Sequence, residues 1–155
     1  MKYAIIGSSK IGTALVRAFT RKNIEVAIAS SREPETLVSF AVKLGPSVLP
    51  QCVAHASAAE SNFLAVPFAA HKEVANVLKN WNGKIVVDVT NAFHVLPEEL
   101  GITLSCEVVA QAFGGTRLVK AFNHLPAEQL GTNPSIQEQR QIVFVSSNDA
   151  GPARR

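Results

Sequence analysis

The sequence predicts an α/β fold with a doubly wound parallel sheet, and two observations support that prediction. Short apolar or β-branched runs alternate with segments whose apolar residues recur at helical spacing. The first run, residues 2–6, is short and apolar, as expected for a strand buried on both faces. Right-handed crossovers between such strands give an expected order of 3-2-1-4-5-6, to which residues 141–147 can add an edge strand.

Local signals predict the elements of the first half. Apolar residues at helical spacing follow the first strand from Ile11 to Phe19. Pro34 suits the first turn of a second helix, and Gly45 ends that helix. A short strand and then a short helix are expected within 45–61. The predicted strands of this half are 2–6, 24–29 and a short one near Val48.

In the second half, the pattern becomes weaker toward the C-terminus. Val74, Val77, Leu78 and Trp81 predict a helix that ends at the Asn-Gly pair 82–83. Since the sequence shows no repeat, no low-complexity segment and no linker, residues 1–155 are expected to form a single domain. The other predicted elements are strands at 62–67, 84–91, 117–123 and 141–147, and a helix at 105–113.

Composition restricts the class of function. The chain is 47% apolar and 17% charged, as expected for a globular protein, and its net charge of +3 is too small to argue for nucleic acid. A mild positive field suits a small anionic molecule. No apolar run approaches the roughly 18 residues of a membrane span, and no signal-peptide pattern is present. A cytoplasmic location without a membrane partner is therefore expected.

Metal chemistry is not expected. Cys52 and Cys106 match neither C-x-x-C nor a zinc pattern, and two reduced thiols are the simplest interpretation. The histidines never occur at H-x-x-x-H spacing. Asp88, inside an apolar strand, is expected to accept hydrogen bonds from nearby N–H groups.

Residues 3–15 read YAIIGSSKIGTAL, which departs from the dinucleotide pattern G-x-G-x-x-G at one position. Gly7 suits the tight turn after the strand, Gly12 suits close packing of the helix on the sheet, and Ser9 replaces the middle glycine. The serine hydroxyl can donate to a phosphate oxygen, and the helix starting near Lys10 presents unpaired N–H groups to an anion. The segment predicts a pyrophosphate site; the alternative is a glycine-rich turn without a ligand.

The end of the second strand indicates which nucleotide would bind. Enzymes that use NAD usually place an acid there, whereas residues 29–32 read ASSR. Two hydroxyls and a guanidinium are the groups that hold a 2′-phosphate. NADP(H) is therefore the predicted cofactor, and a solvated loop arginine is the alternative for Arg32.

Five stretches carry a family resemblance in combination: IIGSSKIGTAL, ASSREPETL, LAVPFAAHKEV, GKIVVDVTNAF and VKAFNHLPAEQL. Over nearly its whole length, the chain resembles the NADP-binding domain of deazaflavin (coenzyme F420)-dependent NADP oxidoreductases. It is also similar to the NADPH domain of six-transmembrane metalloreductases and, more distantly, to pyrroline-carboxylate reductases.

The resemblance implies roles at the matching positions. The loop would wrap the pyrophosphate, Ser31 and Arg32 would bind the 2′-phosphate, and residues 65–67 would line the adenosine and ribose side. Asn91 and Ala92 would approach the nicotinamide, and residues 121–124 would lie near a second redox partner. The implied cofactor-binding residues are Gly7, Ser8, Ser9, Lys10, Ile11, Gly12, Ser30, Ser31, Arg32, Ala65, Val66, Pro67, Asn91 and Ala92.

The expected function is an NADP(H)-dependent oxidoreductase that passes hydride between nicotinamide and a deazaflavin, flavin or related small acceptor. Such transfer needs little acid–base help, and Asn91 and His124 are the only catalytic candidates. The alternative for His124 is a loop histidine bonded to backbone. The alternative function is a non-catalytic module that binds or senses NADP(H).

Two departures from the family pattern matter. Ser9 replaces a glycine, and the chain ends soon after residues 141–147, where family members continue. A shortened chain would expose apolar sheet or helix surface. A homodimer is therefore expected, with exchange of C-terminal strands between the two copies as one form.

Overall fold

A computed structural model describes residues 1–133, 141–147 and 149 of the chain, and its central feature is one mostly parallel sheet. The strands are β1 (Tyr3–Ile6), β2 (Val26–Ala29), β3 (Val48–Pro50), β4 (Ser61–Leu64), β5 (Ile85–Asp88), β6 (Arg117–Ala121) and β7 (Val145–Ser146). Their order is β3-β2-β1-β4-β5-β6-β7, and β7 alone among them pairs antiparallel with its neighbour. The predicted fold class, strand order and additional edge strand are confirmed.

Helices pack on both faces of this sheet. They are α1 (Lys10–Thr20), α2 (Pro34–Leu44), α3 (Val53–Ser57), α4 (His71–Ala75), α5 (Pro97–Leu100), α6 (Ser105–Ala112) and α7 (Ala127–Gly131). Successive strand residues point to opposite faces, so Ile5 and Ile6 belong to different clusters of the core. Ile5 packs with residues of α1, α2 and α7, whereas Ile6 packs with residues of α3, α4 and α6.

The second helix follows its predicted signals closely. Pro34 is its first residue, where a missing N–H costs no hydrogen bond. Gly45 follows its last residue with φ of 130°, a conformation that favours glycine, and its N–H donates to the Ala41 carbonyl.

The predicted helix through Trp81 is wrong in its extent, because α4 ends at Ala75. Trp81 is buried beyond the helix, and its indole Nε1 donates to the Ala75 carbonyl oxygen at 2.8 Å. Its ring also meets Phe113 edge-on, with centroids 4.8 Å apart. The indole N–H therefore pairs the Ala75 carbonyl, which in a longer helix would accept a backbone N–H instead. The indole ring also fills the core.

Most of the predicted strands are longer than the strands observed. β2 begins at Val26, after a turn that bonds Ile24 N–H to Phe19 O, and β4 ends at Leu64. β5 ends at Asp88, whose side chain accepts the N–H of Thr90. β6 ends at Ala121, before a residue with positive φ. Within the predicted strand 141–147, only two residues pair with β6.

We expect Trp81→Phe to lower the free energy of unfolding by about 1–3 kcal/mol, because it removes the donor to the Ala75 carbonyl. Urea denaturation followed by circular dichroism measures the change. Val42→Ala, on the exposed surface of α2, is the control and should shift stability by less than about 0.5 kcal/mol. Equal stability of Trp81→Phe and the wild type would contradict this account of the helix end.

Candidate dinucleotide-binding site

The turn between β1 and α1 requires both of its glycines. Gly7 has a φ of 119°, and a Cβ on it would lie 2.2 Å from the carbonyl oxygen of Ala65. A Cβ on Gly12 would lie 2.0 Å from the carbonyl oxygen of Gly7. Both separations are far below van der Waals contact, so β1, α1 and the end of β4 approach closely only because these side chains are absent.

Ser9 is the residue that caps α1. Its backbone is extended, and its hydroxyl accepts the N–H of Gly12 at 3.4 Å. The same hydroxyl donates to the carbonyl oxygen of Ala65 at 3.3 Å. Serine is a preferred N-cap residue, so the departure from the glycine pattern creates a cap and causes no backbone strain.

A cleft of about 510 Å³ opens beside this turn, at the carboxyl ends of β1, β2 and β4. It brings together nine of the residues singled out from the sequence, which lie far apart along the chain: Gly7, Ser8, Ser9, Ser30, Ser31, Arg32, Ala65, Val66 and Pro67. Lys10, Ile11 and Gly12 form the first turn of α1 behind the loop. The cleft is therefore where the predicted phosphate and adenosine residues meet.

Arg32 lines this cleft and is hydrogen-bonded to the turn that follows β1. Its Nη2 donates to the hydroxyl of Ser8 at 3.0 Å, and its backbone N–H donates to the hydroxyl of Ser30 at 3.2 Å. Since the guanidinium has five donors, one bond to Ser8 leaves others for an anion. The arginine at the end of β2 is thus held beside the turn between β1 and α1.

One wall of the cleft was not found from the sequence. It comes from α3 and from the segment that contains α4, and it consists of Val53, Ala70, Glu73, Val74 and Val77. Glu73 is the only carboxylate among the lining residues. Helices that follow β3 and β4 must begin near the carboxyl edge of the sheet. This rule is the signal in the sequence that could have predicted a helical wall for the cleft.

Asn91 is fixed by a reciprocal pair of hydrogen bonds. Its Nδ2 donates to the Asn123 carbonyl oxygen at 2.8 Å, and Asn123 Nδ2 donates to the Asn91 Oδ1 at 3.1 Å. Asn91 and Ala92 do not line the cleft described above, and Ala92 packs against the core on the side of α3 and α4. The pair joins the loops that follow β5 and β6.

Asp88 is fully buried below this pair. As expected, it accepts hydrogen bonds, from the N–H of Thr90 at 2.9 Å and from the Thr90 hydroxyl at 2.7 Å. The sequence analysis missed Lys120, whose Nζ lies 2.9 Å from Asp88 Oδ2 and also donates to the Thr90 carbonyl oxygen. A buried carboxylate needs such partners, so this cluster holds the ends of β5 and β6 together.

His124 is exposed at the edge of the sheet. Its Nε2 lies 3.5 Å from the Ile142 carbonyl oxygen and 3.4 Å from the Phe144 backbone nitrogen. The tautomer decides which of these contacts is a hydrogen bond. Both contacts of Nε2 are to backbone groups, which agrees with the alternative interpretation of His124 as a loop histidine bonded to the backbone.

Metal binding, the cysteines and membrane insertion can also be assessed from the described residues. In the part of the chain that the structure describes, no group of three or more His, Cys, Asp or Glu residues is arranged to hold a metal ion. Cys52 and Cys106 are both free and half-buried. No helix within the described ranges has the length and apolar character to cross a bilayer.

A doubly wound sheet with a glycine turn after β1 and a cleft at the carboxyl edge defines a dinucleotide-binding domain of the Rossmann type. The sequence profile of the family described as NADP oxidoreductase, coenzyme F420-dependent, matches residues 2–92. The chain belongs to this family. The matched range includes the loop, the end of β2 and Asn91, whereas His124 lies beyond it.

Solved structures agree with this assignment. A hypothetical protein from Sinorhizobium meliloti is 38% identical, with a TM-score of 0.89 over 97% of this chain and 75% of that chain. A candidate F420-dependent NADP reductase from Arthrobacter sp. FB24 is 26% identical, with a TM-score of 0.78 over 99% of this chain and 76% of that chain. Together with the family, the Arthrobacter neighbour indicates an NADP-dependent oxidoreductase.

More distant neighbours share the fold alone. A glycerol-3-phosphate dehydrogenase from Coxiella burnetii is 16% identical, with a TM-score of 0.73 over 99% of this chain and 49% of that chain. Comparison with curated proteins gives no match.

We expect Gly12→Ala to abolish NADPH binding and to lower the melting temperature, because its Cβ would push α1 away from the Gly7 carbonyl. Fluorescence titration with NADPH and thermal denaturation measure the two effects. Gly114→Ala is the matched control, since a Cβ there meets nothing within 4 Å. Wild-type affinity in Gly12→Ala would contradict the close approach.

Proposed function

We propose that this protein is an NADP(H)-dependent oxidoreductase that transfers hydride between the nicotinamide and a deazaflavin, flavin or related small acceptor. The observation that carries the proposal is the position of Arg32, which lines the cleft and whose guanidinium donates to the hydroxyl of Ser8 in the turn after β1. Family membership supports the redox chemistry. The name of the Arthrobacter neighbour supports a deazaflavin as one acceptor.

The pyrophosphate is proposed to bind at the N-terminus of α1. Unpaired N–H groups and the positive end of the helix dipole favour an anion at such a position. The hydroxyl of Ser8 and the ammonium of Lys10 lie at the same loop and add donors. In the free protein, the Ser9 hydroxyl already accepts the N–H of Gly12, so the phosphate must replace this contact or bind beside it.

The 2′-phosphate is proposed to bind between Arg32 and the hydroxyls of Ser30 and Ser31. A guanidinium forms charge-assisted hydrogen bonds to a phosphate dianion and offers much less to a neutral 2′-hydroxyl. Glu73 also lines the cleft, and its carboxylate is proposed to accept hydrogen bonds from adenosine or ribose hydroxyls. This arrangement accounts for a preference for NADP(H) over NAD(H).

The nicotinamide is proposed to lie near Asn91 and Ala92, with the acceptor near residues 121–124. The pair formed by Asn91 and Asn123 joins these two loops. Hydride transfer between two rings requires them to lie face to face and needs little proton transfer. The hydrogen bonds between Asn91 and Asn123 are suited to holding the two loops in place for such a reaction.

A second candidate is a module that binds or senses NADP(H) without turnover. It is favoured by the side-chain amide of Asn91 and the Nε2 atom of His124, which make their contacts within the protein itself. Purified protein incubated with NADPH and a panel of deazaflavin, FMN, FAD and ferric acceptors separates the two. Steady oxidation above the blank supports the enzyme, whereas tight binding without oxidation supports the module.

The proposal also includes a homodimer and a cytoplasmic location. Exposed apolar side chains, among them Phe93, Ile102 and Phe144, support the dimer. The two free thiols suit a reducing compartment.

We expect Arg32→Ala to weaken NADPH binding by about tenfold to a hundredfold, because each charge-assisted hydrogen bond contributes roughly 1.5–3 kcal/mol. NADH binding should be nearly unchanged. Calorimetric titration of both cofactors measures the difference. Lys22→Ala removes an exposed cation at the far end of α1 and is the control. Equal losses for the two cofactors would show that Arg32 does not bind the 2′-phosphate.

We expect Ser9→Gly to tighten NADPH binding by about threefold to tenfold, because the N–H of Gly12 and the approach to the loop become open. Glycine is a tolerated N-cap, so stability should fall by only a few tenths of a kcal/mol. Ser9→Ala keeps the Cβ and is the matched comparison. Weaker NADPH binding by Ser9→Gly would instead show that the hydroxyl donates to the phosphate.

A further inference from the structure

The guanidinium of Arg32 is held by a neutral partner. Its Nη2 donates to the hydroxyl of Ser8 at 3.0 Å, and among the described residues no carboxylate forms an ion pair with it. This holds even for Glu33, which follows Arg32 directly, and for Glu73, which lines the same cleft. The positive charge of the arginine is therefore ordered by a hydrogen bond and is not neutralised by a carboxylate.

The sheet brings Ser8 and Arg32 together, although 24 positions separate them along the chain. β1 and β2 pair in parallel with Ile6 opposite Ala29, and the N–H of Gly7 continues this pairing by donating to the Ala29 carbonyl oxygen at 2.7 Å. The turn that contains Ser8 therefore lies beside the segment that leads from β2 to Arg32. The contact between the two side chains thus follows from the register of the core strands.

The hydrogen bond to Ser8 fixes the end of a long side chain. The backbone N–H of Arg32 donates to the hydroxyl of Ser30 at 3.2 Å, which orients the backbone but not the guanidinium. The Arg32 side chain is exposed, and Ser8 is its only hydrogen-bond partner among the described residues. Without this partner the side chain would sample many rotamers, and ordering it when a ligand binds would lower the affinity.

The contact uses only part of the bonding capacity of either group. A hydroxyl has one donor and two acceptor positions, and a guanidinium has five donors. Because Arg32 fills one acceptor position of Ser8, the O–H of Ser8 stays available to a ligand in the cleft that both residues line. The other four N–H groups of the guanidinium make no hydrogen bond to the described residues. A phosphate can therefore bind Arg32 while Ser8 still holds it.

We infer that Ser8 is a positioning residue that sets the preference for NADP(H) over NAD(H), because its hydroxyl holds the Arg32 guanidinium where a 2′-phosphate binds. This role rests on the proposed function and deepens it. A bond from Ser8 to the pyrophosphate would serve both cofactors, since both contain that group. The bond from Arg32 to Ser8 matters for the 2′-phosphate, which only NADP(H) carries.

Calorimetric titration of NADPH and NADH separates the two roles of Ser8. Ser8→Ala should lower the preference for NADPH, measured as the ratio of the two dissociation constants, by about threefold to tenfold, as expected when one long side chain must be ordered on binding. Loss of a pyrophosphate contact alone would weaken both cofactors equally and leave the ratio unchanged. Ser9→Ala, in the same turn but without a hydrogen bond to Arg32, is the matched control and should keep the wild-type ratio.

Further variants test whether the hydroxyl acts through Arg32. In the Arg32→Ala background, Ser8→Ala should not change the ratio again, because no guanidinium remains to be positioned. Ser8→Thr keeps the hydroxyl and should retain most of the preference. Adenosine 2′-monophosphate carries the 2′-phosphate without a pyrophosphate, and it should bind Ser8→Ala more weakly than the wild type by the same factor as the change in ratio. Ser8 is not among the residues with positive φ, so alanine and threonine are compatible with its backbone.

Three results would overturn the inference. Full wild-type preference in Ser8→Ala would show that Arg32 needs no anchor, and tighter NADPH binding by this variant would show that Ser8 competes with the phosphate. Equal loss of preference in Ser8→Thr and Ser8→Ala would show that packing of the turn, and not the hydroxyl, is responsible. A wild type without a preference for NADPH would overturn the proposed cofactor as well. A wild type that prefers NADPH independently of Ser8 would overturn this inference alone.

Discussion

The close approach of three backbone segments at the end of β1 determines the rest of this site. The Gly7 turn lies against the Ala65 carbonyl, and α1 lies against the Gly7 carbonyl, at separations that no Cβ can occupy. This contact directs the N-terminus of α1 toward the carboxyl edge of the sheet. It also places the end of β4 beside the loop, where Ser9 donates to Ala65. The cleft exists because these segments meet there.

The charges around the cleft are arranged before any ligand binds. Arg32 is already bonded to Ser8, and Ser9 already occupies one N–H of the α1 N-terminus. The loops after β5 and β6 are joined by Asn91 and Asn123, next to the ion pair between the buried Asp88 and the partly buried Lys120. A preorganised site loses less conformational freedom on binding. In this chain, the Ser9 hydroxyl already accepts the N–H of Gly12, so an anion at the N-terminus of α1 would have to replace this contact or bind beside it.

Features set by local chemistry could be predicted from the sequence, and features set by distant contacts could not. Pro34 and Gly45 define α2 through their own backbone preferences, and the alternation of strands and helices gives the sheet order. The extent of α4 depends on Trp81 packing against Phe113, which spacing alone does not reveal. Lys120 was overlooked because its partner Asp88 is 32 residues away. The same holds for Glu73, which enters the cleft only through the position of α4.

The most direct measurement is a crystal structure of the protein with NADPH bound. The account predicts the pyrophosphate at the N-terminus of α1, with the 2′-phosphate within about 3 Å of the Arg32 guanidinium, the distance of a charge-assisted hydrogen bond. The bond from Arg32 to Ser8 should then be shared with, or replaced by, the phosphate. An NADPH molecule bound away from the loop, or a 2′-phosphate in solvent with Arg32 still on Ser8, would contradict the account.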